Sequence, residues 1–446
     1  MSLIVSDRRT LIVGLGKTGL SCVRYLSGQG REIAVVDSRQ NPPGLDELKA
    51  GWPDVPVHLG AFDAEYFANF NELVVSPGIN IAEPAIAGAA EKGALIRGDI
   101  DLFAEAADAP IIAITGSNGK TTVTTLLGEM ARAAGRKAQV GGNIGTPALD
   151  LLEHGADLYI LELSSFQLET THELGALAAT VLNVSDDHMD RYPDKMAYFQ
   201  AKQRIYNGCR NAIVNLDDAL STPMARDTLR FLCFGFNRVN PDTFSTRDDE
   251  HGTWITFGFD NLLLDTELKL MGRHNISNVM AALALGYAAG LPMAAMLDVA
   301  RNFRGLPHRC EFIRSLAGVE YINDSKGTNV GATVAAIESL APTQGKIVLI
   351  AGGDGKGADF GPLAEPVAHH CRALVLIGQD AEAIANAVGS SVPVMRAETL
   401  AEAVTQAAAQ ARAGDRVLLS PACASFDMFD SYNDRGDQFR ALVEGL

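Results

Sequence analysis

The sequence predicts an α/β protein in three units: an N-terminal Rossmann-like domain, a central P-loop-type mononucleotide-binding α/β domain, and a C-terminal Rossmann-like α/β domain. Three observations carry this reading. Apolar β-branched runs alternate with helix-length segments along most of the chain, the pattern of parallel sheets flanked by helices. Two glycine turns, Gly14–Gly19 and Gly116–Gly119, each follow such a run and open a helix. Gly305-Leu306-Pro307 then punctuates the pattern before it resumes. The expected boundaries are 1–98, 99–306 and 307–446, in keeping with a length of 446 residues.

In the first unit, Thr10–Val13 reads as a strand, Lys17–Gln29 as a helix and Glu32–Asp37 as the next strand. Glu72–Ser76 and Ala94–Ile96 read as further strands, and Gly98–Ala109 leads into the second unit. That unit opens on a strand at Ile111–Thr115 and a helix from Lys120 to about Ala134. Strands at Leu158–Leu163, Ala179–Val184 and Ala212–Asn215 follow, with a helix across Lys195–Asn207. Residues 229–271 hold short β-type runs such as Thr253–Phe257 and are expected to form a small sheet. Helices at Asn278–Ala289 and Met293–Asn302 close the unit. In the third unit, Ile347–Ala351, Ala373–Ile377 and Arg416–Ser420 read as strands, and the Ala-rich Thr399–Ala413 as a helix.

A net charge of −17 argues against nucleic acid or an anionic membrane as the main partner. Six scattered cysteines without a Cys-x-x-Cys pair point to reduced, packed thiols and a cytoplasmic address. The start of the chain lacks a signal-peptide pattern, and no apolar run is long enough to span a bilayer. Any anionic ligand must therefore be met by local clusters of positive charge and backbone N–H groups.

The segment Gly116-Ser117-Asn118-Gly119-Lys120-Thr121-Thr122 is a shortened phosphate-binding loop, with Ile114 where the longer consensus has glycine. Its N–H groups and the helix behind them form a cradle for phosphate oxygens. Lys120 can reach a terminal phosphate, and the Thr121 hydroxyl can hold Mg²⁺. Gly14-Leu15-Gly16-Lys17-Thr18-Gly19 fits the dinucleotide fingerprint, with Asp37 at the end of the next strand. It suits NAD or another nucleotide diphosphate, and Ser76-Pro77-Gly78 can add donors to the same pyrophosphate. Two such turns imply two different phosphate-bearing ligands, which a dehydrogenase does not explain. A regulatory or transport ATPase, in turn, leaves the first turn without a role.

Glu162, at the end of a buried strand beside the second turn, stands where an Mg²⁺ ligand is wanted. Asp186-Asp187-His188-Met189-Asp190 clusters further ligand types, or is simply an acidic capping turn. Lys202 alone carries no signal, since helix lysines are ordinarily solvated. Gly272–Asn278 begins a helix whose His and Asn side chains suit N-capping or an adenine edge. Asn323–Asn329, Gly352–Gly357 and Ser420–Asp427 are loops at strand ends, and the first two carry a lysine each. Cys423 is read as packed.

Taken together, these segments resemble the Mur ligase family, and the match runs over nearly the whole chain. Residues 14–21, 162–169 and 323–329 resemble in particular the branch that adds D-glutamate. Thr121 stands where Ser is common and Gly327 where Ala is common, and neither change removes a functional side chain. The resemblance implies ATP-driven amide formation on UDP-N-acetylmuramoyl-L-alanine through an acyl phosphate, in peptidoglycan precursor synthesis by a cytoplasmic monomer. It implies that Lys120 contacts the transferring phosphate and that Thr121 and Glu162 hold one Mg²⁺. His188 and Lys202, the latter as a carbamate, then serve a second Mg²⁺. Gly116–Thr122, Asn275, Asn278, Arg309 and Asp324 are implied at ATP. Leu15, Lys17, Thr18, Asp37, Ser38, Arg39, Ser76, Pro77 and Gly78 are implied at UDP, with Asn143 and His188 toward the sugar and peptide. Lys326, Thr328, Lys356, Ser425, Phe426 and Tyr432 are implied at D-glutamate. Because the ATP and amino-acid loops fall in different units, closure of the third domain is expected.

Overall fold

The computed structural model describes residues 9–185, 187, 191–223, 229–270 and 272–446. Among these, the first unit contains β1 (Thr10–Val13), β2 (Ile33–Asp37), β3 (Val57–Leu59), β4 (Glu72–Val75) and β5 (Leu95–Arg97). They form a sheet of order β3-β2-β1-β4-β5, parallel throughout. The helix Lys17–Gly28 lies so close to the turn before it that a Cβ at Gly19 would strike the carbonyl of Gly14. Only glycine permits that packing.

The central sheet comprises β6 (Ile111–Thr115), β7 (Ala138–Gly142), β8 (Leu158–Glu162), β9 (Ala178–Val181) and β10 (Asn211–Asn215). It continues through β11 (Arg230–Gly235), β12 (Thr243–Asp249), β13 (Gly252–Phe257) and β14 (Asp260–Leu264). Its order is β14-β13-β12-β11-β10-β9-β6-β8-β7. The expected small sheet at 229–271 is instead the far edge of this one. β12 to β14 run antiparallel because only two residues separate each pair, Glu250-His251 and Gly258-Phe259, too few for a crossover.

The third sheet holds β15 (Glu311–Leu316), β16 (Val319–Asn323), β17 (Ile347–Gly352), β18 (Cys371–Ile377), β19 (Val394–Arg396) and β20 (Arg416–Leu419). Its order is β15-β16-β20-β17-β18-β19, parallel except at the β15–β16 hairpin. That hairpin turns on Ala317 and Gly318, at φ of 50° and 77°. Two positive φ values are what a tight hairpin of the right twist requires, and alanine at the first position concealed it from sequence.

The segment Gly98–Ala109 is a helix over Asp99–Ala106, with Ile100, Leu102 and Phe103 buried. Phe103 meets Tyr159 of β8 edge-on at 5.1 Å, and both lie in an apolar core that also takes in Ile12, Leu15 and Val23 of the first unit. β6 and β8 are buried at every position, as parallel strands covered on both faces are. Their carboxyl ends therefore open on one crevice. No helix among the described residues is long and apolar enough to cross a membrane.

Candidate active site

The first glycine turn borders a cavity of about 630 Å³. Lys17 and Thr18 line it from the helix start, Ser38 and Arg39 from the end of β2, and Ser76, Pro77 and Gly78 from the end of β4. Asn143, from the central unit, closes the other side. Asp37, at the end of β2, lines the cavity as well and also braces its own turn: its oxygens accept from Leu15 N at 2.7 Å, from Arg39 N at 2.9 Å, and from the Arg39 guanidinium at 2.9 and 2.7 Å. Burial opposes its ionisation, but these donors outweigh it and hold the carboxyl below its ordinary value. Leu15 is fully buried in the core with its N–H committed to Asp37, so its side chain does not face the cavity. Together the pair locks the turn to β2.

The second turn follows β6, with Gly119 left-handed at φ 83° where the helix Lys120–Ala133 begins. Lys120 Nζ folds back to donate to Gly116 O at 2.8 Å and Ser117 O at 2.9 Å. Lys202 Nζ donates to the same Gly116 O at 3.0 Å and lies 4.4 Å from the centre of the Tyr198 ring. Lys202 is no solvated helix lysine, being 1% exposed on the helix Lys195–Gln203. Burial first, and Lys120 second, push its amine well below the ordinary lysine value. Burial lowers Lys120 as well, against the pull of Glu162 and Asp187.

Glu162 closes β8 in register with Ile114, directly beside the phosphate loop. One oxygen accepts from Asn143 Nδ2 at 2.9 Å, while the other is buried with no partner among the described residues. Such an orphaned oxygen is costly unless something absent from the protein satisfies it. A hard cation fits, with the Thr121 hydroxyl as the second oxygen nearby in the same cavity. Among the described residues there is no cluster of three or more His, Cys, Asp or Glu that could hold a metal by itself. His188 lies outside the described residues.

The loops of the third unit face this centre. Lys326, Thr328, Lys356, Ser425, Phe426 and Tyr432 line one cavity of about 930 Å³ with Lys120, Thr121, Glu162 and Lys202. The Lys326 amine sits 4.1 Å from the centre of the Tyr432 ring, and burial, reinforced by Arg309 and Lys120, lowers it to about 8. Arg309 donates to Thr121 Oγ1 at 2.6 Å, joining the third unit to the phosphate loop. Cys423 is wholly buried and its thiol is pushed up to about 12, in agreement with a packing role.

Arg435, which the sequence did not single out, supports these loops from the helix Tyr432–Glu444. Fully buried, it donates to Ser325 Oγ at 3.0 Å, Ser325 O at 2.8 Å and Cys423 O at 3.3 Å. Its only signal was an arginine one turn after Tyr432. Arg435→Ala is expected to cost about 3 kcal/mol of stability, because buried carbonyls lose their donors. Urea denaturation checks this, and a loss below about 0.5 kcal/mol would count against it.

A third cavity, of about 560 Å³, lies behind the phosphate loop and is lined by Asn275, Asn278, Thr122, Arg309 and Asp324. Asn278 donates to Asn275 at 3.1 Å and packs against Gly119 so closely that a Cβ there would collide with it. The cap of the helix Arg273–Ala288 is Gly272 and uses no side chain, so the N-capping alternative for His274 and the asparagines falls away. His274 instead shares a hydrogen bond with Ser339 at 2.9 Å, and burial lowers it to about 4. Burial also raises Asp324 to about 6, against hydrogen bonds from Ser420 and Cys310. Arg273 over Phe236, at 3.9 Å, ends the cavity and was not foreseen.

Three family profiles match the chain: "Mur ligase MurD-like, N-terminal domain" over residues 8–98, "Mur ligase middle domain" over 114–286, and "Mur ligase, glutamate ligase domain" over 308–423. A UDP-N-acetylmuramoylalanine–D-glutamate ligase of Marinobacter nauticus is 84% identical over 100% of both chains. The protein of that name from Pseudomonas aeruginosa is 56% identical, again over 100% of both. Among solved structures, a pseudomurein peptide ligase type C from Methanothermus fervidus aligns with a TM-score of 0.63 at 16% identity, covering 98% of this chain and 100% of that one. The UDP-N-acetylmuramate-alanine ligase of Thermotoga maritima gives 0.59 at 18% identity with the same coverage, a likeness of fold.

Proposed function

The chain belongs to the Mur ligase family, and from that premise we infer that it joins D-glutamate to UDP-N-acetylmuramoyl-L-alanine at the expense of ATP, in peptidoglycan precursor synthesis. One observation carries the reading to the residue level. Phosphate-loop Lys120, the orphaned Glu162 and the third-unit lysines Lys326 and Lys356 share a single cavity in a chain of net charge −17.

A carboxylate is a poor electrophile until one of its oxygens is phosphorylated. In this reading the alanyl carboxylate oxygen takes the terminal phosphoryl group of ATP, and ADP leaves. The D-glutamate amine attacks the acyl carbon and loses a proton, and inorganic phosphate departs. Phosphoryl transfer between two anions depends on positioning and on concentrated positive charge. Lys120 and Arg309 supply that charge, while Thr121 and Glu162 would hold one Mg²⁺. Magnesium would neutralise charge on the triphosphate. A second Mg²⁺, at His188 and a carbamate on Lys202, is part of the proposal. Its support is the depressed Lys202 amine, because carbamate formation needs the neutral form.

The cavity beside Lys17, Arg39 and Ser76 receives UDP, and that beside Asn275 and Asn278 receives adenosine. Lys326, Thr328, Lys356, Ser425, Phe426 and Tyr432 receive D-glutamate, its carboxylates on the two lysines. Residues 1–98, 99–306 and 307–446 then serve UDP, ATP and amino acid respectively, in a cytoplasmic monomer without nucleic-acid or membrane partners. Phosphate release measured against a panel of D- and L-amino acids, with and without the UDP-sugar, tests the reading. Release at full rate without the UDP-sugar, or preference for another amino acid, would overturn it.

A pH prediction arises here. Lys326 near 8 is charged below that value and neutral above it. The KM for D-glutamate is therefore expected to rise as pH passes from about 7 to about 9, about tenfold per unit once the amine is mostly neutral. A flat profile would remove Lys326 as a carboxylate ligand.

A further inference from the structure

The N-cap of the helix Val330–Leu340 does two things at once. Asn329 Oδ1 accepts from Ala332 N at 2.8 Å, satisfying the first turn of the helix. Its Nδ2 donates to Asn118 Oδ1 in the phosphate loop at 3.2 Å and to Asp187 Oδ2 at 3.2 Å. The cap fixes which end of the amide is oxygen, so the assignment of the donor is not arbitrary. Asn118 is itself braced: its N–H donates to Asn183 Oδ1 at 2.8 Å, and Asn183 Nδ2 returns a bond to Asn118 O at 3.1 Å. The approach is close, since a Cβ on Gly331 would come within 2.8 Å of Ser185 Oγ. Asn329 is buried and directly follows the Lys326–Thr328 loop.

Ser, Thr, Asp and Asn all cap helices well. Only a carboxamide can accept from the helix with one atom while donating to two further partners with the other. Capping alone therefore does not account for asparagine at this position. We propose that Asn329 is a positioning residue that clasps the phosphate loop at Asn118 and Asp187, and so holds the amino-acid loop in register with the phosphate being transferred. The inference rests on the ligase reading above and adds to it the contact that sets the distance between the two substrates. Asn329 borders the cavity that Lys120 and Lys326 line, but its amide is committed to the helix cap, Asn118 and Asp187. It acts through Asn118 on one side and Lys326 and Thr328 on the other.

Two variants separate clasp from cap. N329D keeps the capping oxygen but loses both donated bonds and sets a carboxylate against Asp187. N329S keeps a cap, too short to reach across, without adding charge. In a phosphate-release assay, kcat/KM for D-glutamate should fall about tenfold in N329S and about a hundredfold in N329D. The melting temperature should stay within about 2 °C, and the Kd for ATP in the absence of the other substrates should stay within about twofold. A kcat/KM for D-glutamate within about twofold of wild type in both variants overturns the clasp. So does a loss matched by an equal loss of ATP affinity, which would mark a damaged phosphate loop. Wild-type protein releasing no phosphate on addition of D-glutamate would overturn the ligase reading itself, a distinguishable failure.

Discussion

Lys202→Ala is expected to lower kcat by about three orders of magnitude, the upper range for removing one preorganised electrostatic group from an active site. The reason lies in where the amine sits. It is 1% exposed, shares the carbonyl of Gly116 with Lys120, and is driven well below the ordinary lysine value. A lysine kept charged for phosphate binding would gain little from such burial. A neutral amine can instead take up carbon dioxide and become an anionic oxygen ligand. Short carboxylates such as acetate should therefore restore part of the activity in the alanine variant, by filling the space with an equivalent oxygen donor. The fold should tolerate the change, because Gly116 O keeps its bond from Lys120. Unchanged turnover would sink the assignment. A loss that no small carboxylate relieves, in a variant that still binds ATP, would argue for the free amine rather than the carbamate.

Glu162→Gln should be nearly as damaging, at about a hundredfold or more in kcat. The substitution preserves shape, and the retained carbonyl oxygen can still accept from Asn143. What it replaces is the second oxygen, buried and without a partner among the described residues. With an amide nitrogen there, a hard cation loses a ligand. The Mg²⁺ concentration for half-maximal rate should rise about tenfold or more. A hundredfold loss of rate with an unaltered Mg²⁺ dependence would reassign Glu162 to orienting Asn143.

Much of this site could be read from residue order because its parts are local. The two glycine turns are strand–turn–helix units whose backbone geometry is fixed by a few consecutive residues, and both stand where the sequence places them. Glu162 was legible for the same reason, as an acid ending a strand. The brace that Asp37 and Leu15 form was not. The same fingerprint suits a ribose-binding acid and one that ties its own turn together, and only the donors around Asp37 show the second role. Arg435 carries no local pattern, and Asn329, though it ends a segment the sequence singles out, shows nothing there of its reach to Asn118, 211 residues away in sequence.

The sheets divide along the same line. Long apolar runs such as Ile111–Thr115 and Ile347–Gly352 announce buried parallel strands by composition. The short strands Val57–Leu59 and Val394–Arg396 owe their pairing to a neighbour, and the Ala317-Gly318 turn to a backbone conformation that alanine does not advertise.

The sequence by itself thus determined the α/β class, the two strand–glycine turn–helix units and the family, because each rests on short-range order or on many residues matched together. Tertiary structure alone decided that Lys202 is buried against Gly116, that one oxygen of Glu162 is left without a partner among the described residues, and that Asn329 reaches Asn118. These are consequences of desolvation and of distances between segments far apart in the chain, and neither quantity is written in any local stretch of residues.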